Sequence, residues 1–259
     1  MQSHEPSATA YTMDGFLGQK LTIRQPVKGF RSGHDAVLLA AFADPSDSGQ
    51  VVELGSGSGV ASLCLARRRA DIQVTGIEQD PALVLLAQDN AGENHLSDRV
   101  RFITGDIEGK FADLGLAPSQ FDTVIANPPF YRAGAVNDLP EAGRQQAHIG
   151  DAQTLDKWVA CACALVKAKG HVVFVHRADA LTDLLQVMSP RLGDLHLMPI
   201  FPRPGAEATR ILVRGRRDSR APLRLSQGLI LQDAAAQPSD AAQAVLREGA
   251  ALAFDTTDG

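Results

Sequence analysis

Val51-Val52-Glu53-Leu54-Gly55-Ser56-Gly57-Ser58-Gly59 decides how this chain folds. Two valines and a leucine make a short apolar strand, and glycines at alternate positions end it and turn the backbone. A helical pattern, Val60 to Arg69, starts at once. Strand, glycine turn and helix in direct succession open a parallel sheet with crossover helices. Outward from there the alternation continues. Ile72 to Ile77 reads as a strand and Pro81 to Asn90 as a helix. Val100 to Thr104 and Phe121 to Ala126 read as strands, followed by a helix from Leu155 to Lys167. Gly170 to Val175 is a further strand, and Ala178 to Met188 a helix. Leu195 to Phe201 and Arg210 to Arg214 form an antiparallel closing pair. Central strands apolar on both faces require helices on both sides. The expected class is α/β: a doubly wound, mostly parallel, seven-stranded Rossmann-like sheet with an antiparallel closing hairpin.

The flanks divide the chain further. Residues 1–11 are polar and aperiodic and read as a flexible tail. Residues 12–49 hold a hairpin around Leu21 to Arg24 and an apolar helix, Ala36 to Phe42, which Asp35 is placed to cap. Asp44 to Gly49 breaks that helix. The main α/β domain is expected at 50–232, and residues 233–259 form a C-terminal extension with a helix capped by Ser239.

A net charge of −5 means that overall charge does not attract a polyanion. The arginines are unevenly spread: Arg203, Arg210, Arg214, Arg216, Arg217, Arg220 and Arg224 crowd one stretch, and Arg67 to Arg69 form another run. The first group is a candidate phosphate-contacting face. Cys64, Cys161 and Cys163 have no metal spacing and read as small buried hydrophobes in a reducing compartment. His34, His148, His171 and His176 have none either. With no apolar run of membrane-spanning length and no leader-like opening, a cytoplasmic protein without a membrane partner is expected.

Ligands of such sheets bind beyond the carboxyl ends of the strands. Three acids stand there in order: Glu53, Glu78 and Asp106. Gly55, Gly57 and Gly59 let a ligand approach the backbone. Val60 stands where a dinucleotide loop expects Gly or Ala, and Glu53 would repel a pyrophosphate, so the loop suits a cationic or zwitterionic ligand. Glu78 can accept from both hydroxyls of a ribose, which fits NAD or S-adenosylmethionine. Asp106 can accept from an adenine amino group, with Ile107 covering the ring. The fourth strand ends in Asn127-Pro128-Pro129-Phe130. The Asn127 side-chain oxygen and the Pro128 carbonyl can each accept one hydrogen of an NH2 group. The prolines hold the backbone still, and Phe130 can lie on a planar heterocycle or amide.

With Glu53 to Gly59, Glu78, Asp106 and Asn127 to Phe130 in this order, the chain resembles the class I S-adenosylmethionine-dependent methyltransferases, in the form that methylates exocyclic amines. Gly29 to Leu39, Leu155 to Trp158 and Arg210 to Val213 are similar to the family that includes the tRNA(Val) adenine-N6 methyltransferase. The resemblance covers roughly residues 12 to 232. It implies S-adenosylmethionine as cofactor, with Gly55, Gly57 and Gly59 on its methionine part, Glu78 on the ribose and Asp106 on the adenine. Asn127, Pro128 and Phe130 would be catalytic, holding the target amine and base. Asp35, Tyr131, Arg210 and Arg214 would touch an RNA substrate, tRNA above all. Where family members often carry Ala-Arg after the motif, this chain has Ala147-His148. A glutamine-amide methyltransferase acting on protein and a guanine-N2 methyltransferase of ribosomal RNA use the same amine logic. A non-catalytic module binding S-adenosylmethionine or RNA is the reading from another class.

Overall fold

Short apolar segments bounded by Gly, Asp and Asn make the strands, and helices cover them wherever both faces are apolar. The computed structural model describes residues 10–29, 31–43, 49–129 and 141–252, with side chains of 141–152 excepted. A hairpin comes first, β1 (Tyr11–Phe16) with β2 (Leu21–Pro26). Then come α1 (His34–Phe42), β3 (Gln50–Leu54), α2 (Val60–Arg68), β4 (Gln73–Glu78), α3 (Pro81–Glu93) and β5 (Val100–Thr104). β6 (Phe121–Ala126), α4 (Glu141–Leu165), β7 (Val166–Arg177) and α5 (Leu181–Met188) follow. β8 (Leu192–Phe201), β9 (Arg210–Arg217), β10 (Arg224–Leu225), β11 (Leu229–Ile230) and α6 (Asp240–Gln243) complete the chain.

The main sheet runs β5-β4-β3-β6-β7-β9-β8-β10, with β11 also on β8. Pairing is parallel from β5 to β7, and β9 runs antiparallel to both β7 and β8. The expected seven strands are the frame. β10 and β11, two residues each, extend the β8 edge and carry too little pattern to be read from sequence. Strand order reverses at β3, which lies between β4 and β6, so the ligand crevice belongs there. One face packs α1, α2 and α3 through Leu39, Leu63 and Phe102; the other packs α4 and α5 through Val159, Leu165 and Leu184.

Several boundaries differ from the sequence reading. Tyr11 belongs to β1 rather than to the tail; residues 1–9 lie outside the described residues. α4 stops at Leu165, because Val166 already pairs with Phe121, and a register shift absorbs the polar residues before His171. Asp35 is not the cap of α1: Gly33 occupies that position without a side-chain bond, and Asp35 sits in the first turn. Ser239 does cap α6, accepting from Ala242 N at 3.1 Å.

The hairpin is held by two asparagines of α3. Asn90 and Asn94, four apart and on one helical face, exchange side-chain amide bonds with the backbone of Arg24 and Thr22 as a neighbouring strand would. Asn90 also donates to Ser58 O at 3.0 Å, which ties the hairpin to the glycine loop.

Candidate functional site

The glycine loop bends back because Gly55 and Gly57 take φ of 63° and 54°, a left-handed conformation costly for other residues. Gly55 has a second reason to be glycine: a Cβ there would run into the ring of Trp158, with Cζ3 at 3.2 Å. The loop and the ends of β4, β5 and β6 enclose a cleft of about 310 Å³. Gly55, Gly57, Glu78, Asp106, Ile107 and Asn127 all line it. Leu83, Pro129 and Trp158 line it too. Trp158, the chain's single tryptophan, went unassigned in sequence because α4 presents it to the cleft only once folded. Lys157 bonds Glu108 at 2.7 Å and joins α4 to the loop after β5 at the mouth.

Glu78 accepts from Gly57 N at 2.9 Å and from Asp80 N at 3.0 Å, one bond per oxygen. A carboxylate has about four acceptor positions, so roughly two remain for neighbouring hydroxyls. Asp106 is exposed and accepts from Glu108 N at 2.9 Å, which orients its carboxylate at the cleft wall.

Glu53 and Gly59 are not in the cleft. Glu53 points into the core, 3% exposed, and accepts from both the backbone N–H (2.9 Å) and the hydroxyl of Ser62. Burial pushes its pKa up to about 8, against the pull of those two bonds. From β3 its carboxylate reaches Ser62 in the first turn of α2 and serves there as an internal acceptor. Gly59 is needed for packing: a Cβ there would come within 2.6 Å of Phe102 Cζ.

Asn127 stands just past β6, and its Oδ1 is buried without a hydrogen-bond partner among the described residues. Buried acceptors are ordinarily satisfied, so an orphan at the wall of a ligand-sized cleft marks a position awaiting a donor. Pro128 beside it is buried. Phe130 and Tyr131 lie outside the described residues, as do the side chains of Ala147 and His148.

The four arginines of β9 do not share one end of the sheet. Arg210 begins β9 beside Arg177, at the carboxyl end of the parallel strands, and its Nε donates to Asp35 at 2.8 Å. Asp35 and Arg210 thus hold α1 to β9 and do not line the cleft. Arg214 lies mid-sheet, opposite Val173 and His196. Arg216 and Arg217 are at the far end, where their guanidinium groups donate to the carbonyls of Lys169 and Val166. One strand carries its side chains some 3.3 Å apart along its length, so arginines adjacent in sequence spread from the ligand end to the opposite end. Arg67 and Arg68 are likewise spent on the carbonyls of Asn94 and Ala250.

Cys64 and Cys161 are buried and Cys163 half-buried, with burial raising every thiol pKa, Cys161 to about 12 and Cys163 to about 11. Among the described residues there is no cluster suited to a metal ion, and no helix long and apolar enough to cross a membrane.

Comparison with known proteins agrees with this geometry. A family profile described as "Methyltransferase small domain" matches residues 33–143. The tRNA1(Val) (adenine(37)-N6)-methyltransferase of Porphyromonas gingivalis is 30% identical over 208 residues, 78% of this chain and 81% of the relative. That of Actinobacillus succinogenes is 31% identical over 203 residues, 77% and 82% of the two chains. The crystal structure of a predicted O-methyltransferase of Agrobacterium tumefaciens superimposes with a TM-score of 0.73 at 24% identity, over 85% of this chain and 99% of the other. By extent and identity, this chain belongs to the tRNA1(Val) (adenine(37)-N6)-methyltransferase family.

Proposed function

We propose that this methyltransferase uses S-adenosylmethionine to methylate N6 of an adenine in tRNA. The observation that carries the reading is the orphaned Oδ1 of Asn127 on the wall of the cleft. An exocyclic amine offers the N–H which that oxygen lacks, and the Pro128 carbonyl is the second acceptor. Together they fix the plane of the NH2 group and turn its lone pair toward the cleft. The residues present suit the cofactor: glycine at 55 and 57 leaves room for close approach, and Glu78 has acceptor capacity for a ribose. Asp106 and Ile107, which line the same cleft, are the residues proposed to meet its adenine. When bound, S-adenosylmethionine supplies an already activated methyl group, so the chain's own contribution is placement and electrostatics. A base in folded RNA must be turned out of its stack first, and Phe130 is the side chain proposed to receive it. The relatives named for tRNA support an RNA substrate over the glutamine-amide alternative, and a cytoplasmic site of action goes with it.

The test is transfer of labelled methyl groups to total tRNA, followed by nucleoside analysis. The expected product is N6-methyladenosine. Asn127→Ala should lower the rate on the order of 10²–10³-fold, the loss typical of one preorganised polar contact to the reacting group. Its melting temperature should barely change, because Oδ1 accepts no hydrogen bond among the described residues. Label in N2-methylguanosine or in protein, or an unimpaired Asn127→Ala, would overturn the assignment.

A further inference from the structure

A second cavity, about 860 Å³, runs from the start of α1 and Pro202 after β8 to the hairpin turn at Leu17 to Gln19, between the β1–β2 hairpin and the C-terminal segment. It is larger than the cleft and within the roughly 300–1,000 Å³ of small-molecule sites. We infer that it receives a nucleotide of the RNA strand flanking the target base. This rests on the RNA reading above and assigns the substrate a second point of contact.

Position is the first argument. The cofactor cleft lies over β3, β4 and β5, whereas the cavity lies over the other half of the sheet, where α1 crosses β7 and β9 and Pro202 follows β8. Asn127, at the end of β6, lies between these halves in the strand order. A strand that presents its base at Asn127 therefore carries one flank toward the cavity.

The lining has the chemistry of a nucleotide site. Phe16 and Leu246 offer apolar surface for a base, while Gln19 and Gln243 offer amides for its edge. Arg31 and Arg247 stand at the wall. Asp14 neutralises Arg31 at 2.7 Å, whereas Arg247 is exposed and has no ion-pair partner among the described residues. It is the cavity's cation without an ion pair among the described residues and so suits a phosphate, in contrast to the β9 arginines, whose donors are engaged in the fold.

The cavity is also coupled to the glycine loop. Gln25, 2% exposed, forms part of its wall and accepts at one oxygen from Ser32 N (2.8 Å) and from Ser58 Oγ (3.4 Å). Its amide donates to Asp14 (2.8 Å) and Ser32 O (3.0 Å). One buried side chain thus joins both walls of the cavity to the loop that lines the cofactor cleft.

The experiment measures binding of a short synthetic RNA stem–loop, with adenosine in its single-stranded loop, by fluorescence anisotropy across a salt series. Arg247→Ala should weaken binding and flatten the slope of log K against log salt by about one unit. Gln243→Trp, which fills the cavity from an exposed position, should weaken it about tenfold, the scale of one lost base contact. Arg216→Ala, at the far end of the sheet, should leave the slope unchanged, and all three should keep wild-type affinity for S-adenosylmethionine. Unchanged RNA affinity and slope in both cavity variants would overturn the inference, as would a wild-type protein that does not bind the RNA. Binding with the expected losses but no methyl transfer would instead strike the proposed activity and leave the cavity assignment standing.

Discussion

Substituting Gly55 and Gly57 separately isolates what Trp158 does for the cleft. Both glycines take left-handed φ, so alanine at either costs about 1–2 kcal/mol in backbone strain. Only Gly55 faces an obstacle: a Cβ at Gly57 meets nothing within 4 Å, whereas one at Gly55 meets the Trp158 ring. Forcing an extra methyl into a packed contact adds about 1–3 kcal/mol. Gly57→Ala should therefore destabilise by the strain alone and Gly55→Ala by about 2–5 kcal/mol in total, which thermal unfolding resolves as a difference of several degrees. Because Trp158 lines the cleft, its displacement should also weaken cofactor affinity in Gly55→Ala beyond the loss in Gly57→Ala. Trp158→Ala combined with Gly55→Ala removes the collision but keeps the strain, so the double variant should be less destabilised than the single effects sum to. Equal melting temperatures for the two glycine variants, with strictly additive effects at 55 and 158, would refute Trp158 as the packed wall of the cleft.

Glu53 predicts a pH dependence of stability. Its pKa stands near 8 in the folded chain against the ordinary 4.5, so the folded state holds the extra proton between those values. Stability from this group is complete below about pH 4.5, falls as pH rises toward 8, and levels off above it. The decline approaches about 1.4 kcal/mol per pH unit within that window. Glu53→Gln keeps an acceptor for Ser62 and should flatten the decline in urea titrations run across the window; a parallel decline in the variant would place the proton elsewhere. Glu78→Gln should act on binding instead. It loses one charge-assisted acceptor for the Gly57 or Asp80 N–H, and cofactor affinity by calorimetry should fall by about 1.5–3 kcal/mol. An unaltered affinity would remove Glu78 from the ribose position.

Strand ends were legible in the sequence because short apolar runs and the glycines, acids and prolines that stop them are local signals. That is why Gly55, Gly57, Glu78, Asp106, Ile107 and Asn127 converge on one cleft as the order of motifs implied. Direction was not legible. Glu53 sits one residue before the turn, and whether an acid there faces ligand or core depends on which face of β3 the glycine loop covers; Ser62, nine residues on, turned out to receive it. Length along a strand was not legible either, and it misplaced the arginines: residues 210 to 217 read as one patch but extend from the ligand end of the sheet to its opposite end. The cavity between hairpin and C-terminus depends on contacts between the first and last parts of the chain, such as Lys20 Nζ donating to Glu248 O at 2.7 Å, for which no local pattern exists. A positively charged surface for RNA on a chain of net charge −5 cannot come from composition. It has to come from which cations the fold leaves unspent, and between the two arginines of the cavity wall that criterion selects Arg247 over Arg31, which Asp14 neutralises.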